Sequence, residues 1–158
     1  MRVARKEIRE KKTIEEILTK CPVGRLGTVS EEGLPMVKPL NYVYLNGSVY
    51  FHSAREGEKI DDIRRDNHVC FEVDLPIAYV SGSKDNPCSA AYRYRSVIIT
   101  GLAGIVDDDA ERLRALEALM DKYQPDGGYG RFLPEKLVLT AVVRIDIQRM
   151  TGKEDVEA

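Results

Sequence analysis

The residues best suited to bind an anion occur where a predicted strand is followed by a predicted helix. An apolar run at residues 49–51 leads into a short series of polar, small and basic residues: His52, Ser53, Arg55, Gly57 and Lys59. Helical spacing of apolar residues starts directly afterwards, with Ile60 and Ile63. The first N–H groups of a helix have no intrahelical partner, and the helix dipole favours negative charge there. The series therefore predicts an anion site, and a phosphate group suits it.

A predicted hairpin brings further residues to the same place. The dipeptide Asn46-Gly47 separates residues 35–45 from residues 48–54, and it is the strongest short signal for a β-hairpin. Pairing through that turn would place Asn41 near His52. Pro39 removes one hydrogen-bond donor from the first strand of this hairpin. This is typical of an edge strand, and it can also leave neighbouring backbone groups free to meet a ligand.

The remaining apolar periodicity predicts an antiparallel β-barrel with helical additions. Six strands are expected near residues 23–30, 35–45, 48–54, 69–73, 92–106 and 137–148, with a short further strand at residues 77–80. In the second strand, Val37 shares the apolar side with Val43 and Leu45. Gly101 and Gly104 would allow a barrel corner. Residues 127–130 are predicted to form a glycine-rich loop, which does not lie between a strand and a helix as a nucleotide-binding loop would.

Three helices are predicted between these strands. The first covers residues 13–21, where Thr13 and Glu16 form a capping box and the buried face carries Ile14, Ile17, Leu18 and Cys21. The second covers residues 57–65. The longest covers residues 107–123 and is capped by Asp108 and Glu111. Its apolar face, which we expect to be buried, carries Leu113, Leu116, Leu119, Met120 and Tyr123.

Composition limits the functional classes. A chain of 158 residues with 43% apolar and 32% charged residues predicts one globular domain, 1–158, with a charged arm at 1–12 and an acidic tail at 154–158. The net charge of −2 argues against nucleic-acid binding, and no apolar run is long enough for a bilayer. Cys21, Cys70 and Cys88 fit neither a zinc pattern nor paired disulfides, so we expect no metal site and a reducing cytoplasm.

An ordered set of motifs resembles the pyridoxamine 5′-phosphate oxidase-like family of split barrels, and most closely its branch related to nitroimidazole-resistance proteins. The motifs are Val23 to Thr28, Pro39 to Tyr42, Tyr50 to Ala54, Gly57 to Lys59, Tyr94 to Val97, and Ile145 through Thr151-Gly152-Lys153. The resemblance implies a six-stranded antiparallel split β-barrel. It also implies a homodimer with FMN, or FAD, in each of two clefts at the subunit interface.

The resemblance assigns roles to particular residues. The backbone of Lys38, Pro39, Leu40 and Asn41 would follow the flavin ring edge. The motifs that contain Phe51, His52, Ser53, Glu58 and Lys59 would approach the ribityl chain and the phosphate. Arg95 and Ser96 would reach the flavin or its phosphate, and Thr151 to Lys153 would close over it from the partner subunit. Pyridoxamine phosphate oxidases proper use a tryptophan, and this chain has none, so a vitamin B6 substrate is not expected.

The leading functional hypothesis is an FMN-dependent oxidoreductase. Electrons would pass from NAD(P)H through FMN to a small acceptor such as a nitroaromatic. His52 is the candidate catalytic side chain, because its ordinary pKa near neutrality lets it donate a proton or orient the acceptor. The alternatives are a flavin- or haem-binding barrel that stores, senses or carries its cofactor without turnover, and a dimeric interaction module. No nucleic acid or membrane partner is expected.

Overall fold

The apolar periodicity of the chain produces one antiparallel sheet with helices packed against it. The computed structural model describes residues 4–156. Within them the strands are β1 (Glu7–Ile8), β2 (Gly24–Val29), β3 (Pro35–Leu40), β4 (Val43–Leu45), β5 (Ser48–Ala54), β6 (His68–Val80), β7 (Ala91–Ile105) and β8 (Thr140–Asp155). The α-helices are α1 (Lys11–Lys20), α2 (Glu58–Arg65), α3 (Asp109–Tyr123) and α4 (Pro134–Leu139). No helix within residues 4–156 is long and apolar enough to span a bilayer.

The order of the strands shows why the sheet is curled. The order is β3-β2-β6-β7-β8-β5-β4, and β1 pairs with β8. The two edge strands, β3 and β4, are consecutive in the chain and are joined only by Asn41 and Tyr42. Leu40 and Val43 are three residues apart, which an extended chain spans with at most about 11 Å. The sheet must therefore curl until its edges almost meet, which gives the predicted split barrel, mainly β with helical additions.

The six predicted strands are present, with differences in their ends. The predicted strand 35–45 is broken at Asn41 and Tyr42, and Glu7–Ile8 adds a short strand, so eight segments are described. Residues 69–73 and 77–80 belong to one strand, β6, because β7 pairs with it almost throughout. At the predicted corner, the pairing of β7 with β8 shifts register between Thr100 and Gly101.

Two hydrophobic clusters hold the barrel and its helices together. The barrel interior is filled by fully buried side chains that include Leu26, Phe51, Phe71, Val97, Ile99 and Ile145, and α1 adds Ile17 and Leu18. A second cluster lies between α3 and the outer face of the sheet, and it contains Val43, Tyr50, Ala115, Leu116, Leu119 and Val142. Strand β8 therefore buries both of its faces at Val142 and Val143.

Both chain ends differ from their predictions. Helix α1 begins at Lys11 with Glu10 as N-cap, so the predicted capping box at Thr13 is wrong; the Thr13 hydroxyl instead donates to the Glu10 carboxylate at 3.3 Å. The predicted arm contributes β1 and the start of α1, and its residues 1–3 lie outside the described residues. In the predicted acidic tail, Glu154 and Asp155 end β8, and residues 157–158 are outside the description.

Three predicted faces or boundaries are wrong for local reasons. Val37 is 66% exposed because β3 is an edge strand and the break after Leu40 changes the alternation. Leu113 is exposed, and Ala115 takes its place under α3. The last strand begins at Thr140 rather than at residue 137, because Pro134 starts the short helix α4. Proline suits the first helical turn, where its missing N–H would have no partner.

Gly24 marks the closest packing in the barrel. A Cβ atom at this position would overlap the Phe71 ring, with Cε2 only 2.6 Å away. We therefore expect Gly24→Ala to lower the free energy of unfolding by about 2 kcal/mol, as overpacked cores do. Urea denaturation measures this change. Gly104→Ala is the control, because its Cβ would meet no atom within 4 Å; equal stability of the two variants would contradict the packing.

Candidate functional site

The hairpin of β4 and β5 brings Asn41 and His52 together, as the sequence predicted. Val43 pairs with Tyr50, and continuing that register places Asn41 opposite His52. The turn between the strands has positive φ at both Asn46 (52°) and Gly47 (84°), which suits a two-residue hairpin. Asn41 and His52 line one open cleft of about 390 Å³.

The walls of this cleft come from the two helices that precede β8. Helix α3 supplies Leu116, Leu119, Met120 and Tyr123, and the segment around α4 supplies Phe132, Lys136, Leu137 and Thr140. A mostly apolar lining with a few polar groups is typical of small-molecule sites. Sequence reasoning assigned the α3 residues to the core and did not predict that they line a cleft, because an apolar helix face looks alike in both cases.

The start of α2 offers the N–H groups that the sequence predicted for an anion. Gly57 is the N-cap residue, with φ of 117°, and no side chain caps the helix. The first intrahelical bonds are donated to the Gly57 carbonyl by Ile60 at 2.8 Å and Asp61 at 3.1 Å. The N–H groups of Glu58 and Lys59 therefore have no intrahelical partner, and the helix start is open to an anion.

Lys59 adds a positive charge beside this helix start. Its Nζ lies 5.4 Å from the centroid of the Phe51 ring, which fits a cation–π contact. Burial and the nearby charge of Lys38 lower the pKa of Lys59. Among the ion pairs found within residues 4–156, none includes Lys59. A half-buried ammonium without a carboxylate partner is well placed to bind a negatively charged ligand.

Arg95, Ser96 and Lys153 lie in a different part of the chain. Arg95 pairs with Glu154 across β7 and β8, whereas His52 pairs with Val142. Twelve residues of β8 separate those two partners, which is about 40 Å along an extended strand. Arg95 and His52 therefore pair with opposite ends of β8.

The side chains at this second place already have partners. The Arg95 Nε donates to the Glu154 carboxylate at 2.9 Å, and the Lys153 Nζ lies 5.5 Å from the centroid of the Tyr94 ring. Thr151 and Lys153, expected to follow the last strand, are part of β8. Any ligand that engages Arg95 must compete with Glu154 for its guanidinium group.

Comparison with protein families decides what kind of barrel this is. The model of the pyridoxamine 5′-phosphate oxidase family matches residues 10–154, which is most of the chain. The chain belongs to this family. A search of curated proteins finds no match.

Solved structures of similar barrels support this membership. A Bacteroides thetaiotaomicron protein, provisionally named a 5-nitroimidazole antibiotic resistance protein, is 29% identical over 94% of this chain and 86% of its own, with a TM-score of 0.81. A flavocytochrome from Azotobacter vinelandii is 20% identical over 99% of this chain and 72% of its own, with a TM-score of 0.84. An FAD and haem binding protein from Mycobacterium smegmatis is 19% identical over 95% of this chain and 73% of its own, with a TM-score of 0.82. The last two likenesses show the shared fold.

In this oxidase-family barrel, Lys38 makes internal contacts rather than pointing freely into the cleft. Its Nζ lies 3.3 Å from the Asp62 carboxylate and 3.7 Å from that of Glu58. The Asp62 side chain is only 3% exposed, and it also accepts hydrogen bonds from Thr28 at 2.8 Å and Arg65 at 3.0 Å. Asp62 thereby fastens α2 to β2 and β3, and it holds the helix start in place. Sequence reasoning missed it, because an aspartate in a short charged helix is usually exposed.

The surroundings of His52 favour its neutral form. Partial desolvation of the imidazole and the positive charge of Lys59 lower the pKa of His52 below the ordinary 6.5. We expect Lys59→Met to raise the pKa of His52, because the variant removes that charge and keeps most of the side-chain volume. NMR titration of the imidazole resonances measures the change. An unchanged pKa would show that the Lys59 ammonium does not act on His52.

Proposed function

We propose that this chain is a flavin-dependent oxidoreductase that works as a homodimer and binds FMN in preference to FAD. The observation that carries the proposal is the uncapped start of α2 beside the unpaired Lys59, whose positive charge is close enough to lower the pKa of His52 in the cleft. Membership of the pyridoxamine 5′-phosphate oxidase family supports it. Similar barrels named as FAD-binding, or as FAD and haem binding, support a flavin as the ligand.

The residues at the start of α2 fit a flavin phosphate. The N–H groups of Glu58 and Lys59 lack intrahelical partners, and the Lys59 ammonium lacks a carboxylate. Ser53, which is partly exposed on β5, would add a hydroxyl donor. A phosphate dianion would offset the cost of half-burying the lysine, which is the reason that its pKa is lowered.

The ring would lie along the break between β3 and β4. Pro39 has no N–H to give to a sheet neighbour, and β3 is an edge strand, so the backbone from Lys38 to Asn41 is open on one side. Tyr42 is kept from the ligand, because its N–H donates to the Tyr123 hydroxyl at 2.9 Å. The Tyr123 hydroxyl thus helps to hold the break in its observed shape.

A second copy of the chain would complete the site. Arg95, Ser96 and Lys153 are about 40 Å along an extended β8 from the strand partner of His52, which favours a site in which Arg95 and its neighbours come from the partner copy. The extended hairpin of β6 and β7 offers a surface for such a partner. Its apolar side chains Ile77, Tyr79 and Tyr92 are 51%, 68% and 53% exposed, respectively.

The chain's own residues then have defined tasks. When bound, FMN supplies the hydride and electron transfer between NAD(P)H and a small acceptor such as a nitroaromatic. His52, whose lowered pKa favours the neutral imidazole, would donate a hydrogen bond from its ring N–H to the acceptor and orient it. The apolar walls of the cleft would exclude water from the acceptor. We place this activity in the cytoplasm, where the three unpaired thiols would stay reduced.

One alternative function has an observation in its favour. Two of the similar barrels are named as a flavocytochrome and as an FAD and haem binding protein, so a barrel of this shape can bind such cofactors. In that case this chain would be a non-catalytic flavin- or haem-binding or sensing dimer. His52 would then contact the cofactor without taking part in turnover.

The absorption spectrum of the freshly purified protein, followed by anaerobic addition of NADH or NADPH, separates the two functions. The oxidoreductase predicts flavin bands that bleach with the nicotinamide and return when a nitroaromatic is added. Flavin or haem bands that do not respond would favour the carrier. A colourless protein that does not bind added FMN would contradict both.

A further inference from the structure

We propose that the cleft between α3 and α4 binds a small planar aromatic ligand that carries a negative charge, with Lys136 as the residue that recognises the charge. This proposal rests on the proposed function only in treating that ligand as the electron acceptor. Binding to the cleft is a property of the chain itself, and it can be measured separately from turnover.

The shape and lining of the cleft define the ring system. At about 390 Å³ the cleft is near the lower end of the range for small-molecule sites, so it suits a single ring system better than a dinucleotide. Phe132 and Tyr123 offer aromatic surfaces, while Leu116 and Leu137 offer aliphatic ones. Such a lining favours a flat apolar ligand and offers few hydrogen-bonding partners to an extended polar one.

The charges around the cleft indicate the sign of the charge on the ligand. Lys136 is an exposed lining residue, and among the residues that line the cleft there is no carboxylate. Among the ion pairs found within residues 4–156, none includes Lys136. The nearby carboxylate of Asp121 accepts a hydrogen bond from the Tyr129 hydroxyl at 2.8 Å and lines an adjoining groove that shares Phe132 and Leu137 with the cleft.

Lys136 is the lysine that lines the cleft. The ammonium of Lys122, on α3, is engaged elsewhere, because its Nζ donates to the Leu18 carbonyl at 3.2 Å and lies 3.6 Å from the centroid of the Tyr42 ring. Lys136 is on the α4 side of the cleft, whereas His52 and Asn41 lie on the sheet side. A ligand with its anionic group at Lys136 would therefore direct its opposite end toward His52, where the proposed chemistry takes place.

A pair of probes that differ in charge tests this assignment. We would titrate 4-nitrobenzoate and 4-nitrobenzyl alcohol into the purified protein, as isolated and after FMN loading, by isothermal titration calorimetry at low ionic strength. The expected result is about 2- to 5-fold tighter binding of the nitrobenzoate, since a partly exposed ion pair adds a modest attraction. Lys136→Gln should remove that preference, and Lys136→Arg should keep it. Lys84→Gln removes the same charge from an exposed loop residue outside the cleft, and the preference should persist in it.

The outcomes distinguish this proposal from the proposed function. Equal affinity for the two probes, or an unchanged preference in Lys136→Gln, would overturn the role of Lys136. Displacement of the nitrobenzoate by FMN would overturn a cleft site separate from the flavin. Selective binding of the nitrobenzoate without bleaching by NAD(P)H would support this proposal while contradicting the oxidoreductase.

Discussion

Replacing Lys59 with alanine should weaken FMN binding about 10- to 100-fold. The structure leaves the Lys59 ammonium without a carboxylate partner, beside the uncapped N–H groups of α2. A charge-assisted hydrogen bond to a phosphate contributes about 1.5–3 kcal/mol, which corresponds to that range of dissociation constants. Quenching of flavin fluorescence on titration of the purified variant measures the change.

Two controls make the Lys59 experiment specific. Lys59→Arg keeps the positive charge and should retain most of the affinity, and Lys84→Ala removes an exposed lysine of the loop after β6 and should change nothing. Riboflavin, which lacks the phosphate, should bind wild type and Lys59→Ala alike. Undiminished FMN affinity in Lys59→Ala would show that the phosphate does not lie at the start of α2.

Asp62→Asn should lower the free energy of unfolding by about 3 kcal/mol at pH 7. The Asp62 side chain is 3% exposed and accepts hydrogen bonds from Thr28, Arg65 and Lys38. Removing its charge leaves two cations without their shared partner, and breaking a buried ion pair costs about 3–5 kcal/mol. We expect the lower end, because Lys38 and Arg65 remain partly exposed. Asp61→Asn, on the exposed face of the same helix, should cost less than about 0.5 kcal/mol.

The contribution of Asp62 to the free energy of unfolding should depend on pH in a defined direction. Burial alone would raise the pKa of Asp62, but the hydrogen bonds from Thr28, Arg65 and Lys38 outweigh burial and lower it below the ordinary 3.8. A carboxylate with a lowered pKa in the folded state stabilises the fold above its unfolded pKa, and this stabilisation is lost as the pH falls through the folded value. Urea denaturation of wild type and Asp62→Asn should show a constant difference from pH 5 to 7. A difference that stays the same at pH 3 and below would contradict this assignment.

The sequence predicted the features that depend on local signals. Asn46-Gly47 specified the hairpin, and that turn alone sets Asn41 opposite His52. The glycine at position 57 and the helical spacing from Ile60 specified the open start of α2. The ordered motifs predicted the split barrel through their resemblance to a known family, and they lie on its strands and on the start of α2.

Features that depend on contacts between distant segments were not predicted. The burial of Asp62 arises from β2 and β3 packing on α2, and no local pattern records it. The start of the last strand at Thr140 depends on α4, which competes for residues with an equally apolar strand pattern. Arg95 is held by Glu154 because β8 is longer than its apolar alternation indicated.

A mixed dimer tests whether one flavin site uses Lys59 of one copy and Arg95 of the other. Two inactive variants, Lys59→Ala and Arg95→Ala, would be coexpressed with different affinity tags, and the mixed dimer would be purified through both tags. A shared site predicts one tight FMN site per mixed dimer, because one of its two clefts receives an intact Lys59 and an intact Arg95. A mixed dimer made from the Lys59→Ala, Arg95→Ala double variant and wild type should have no tight site. If the first mixed dimer also had none, while wild type bound two, the shared site would be contradicted.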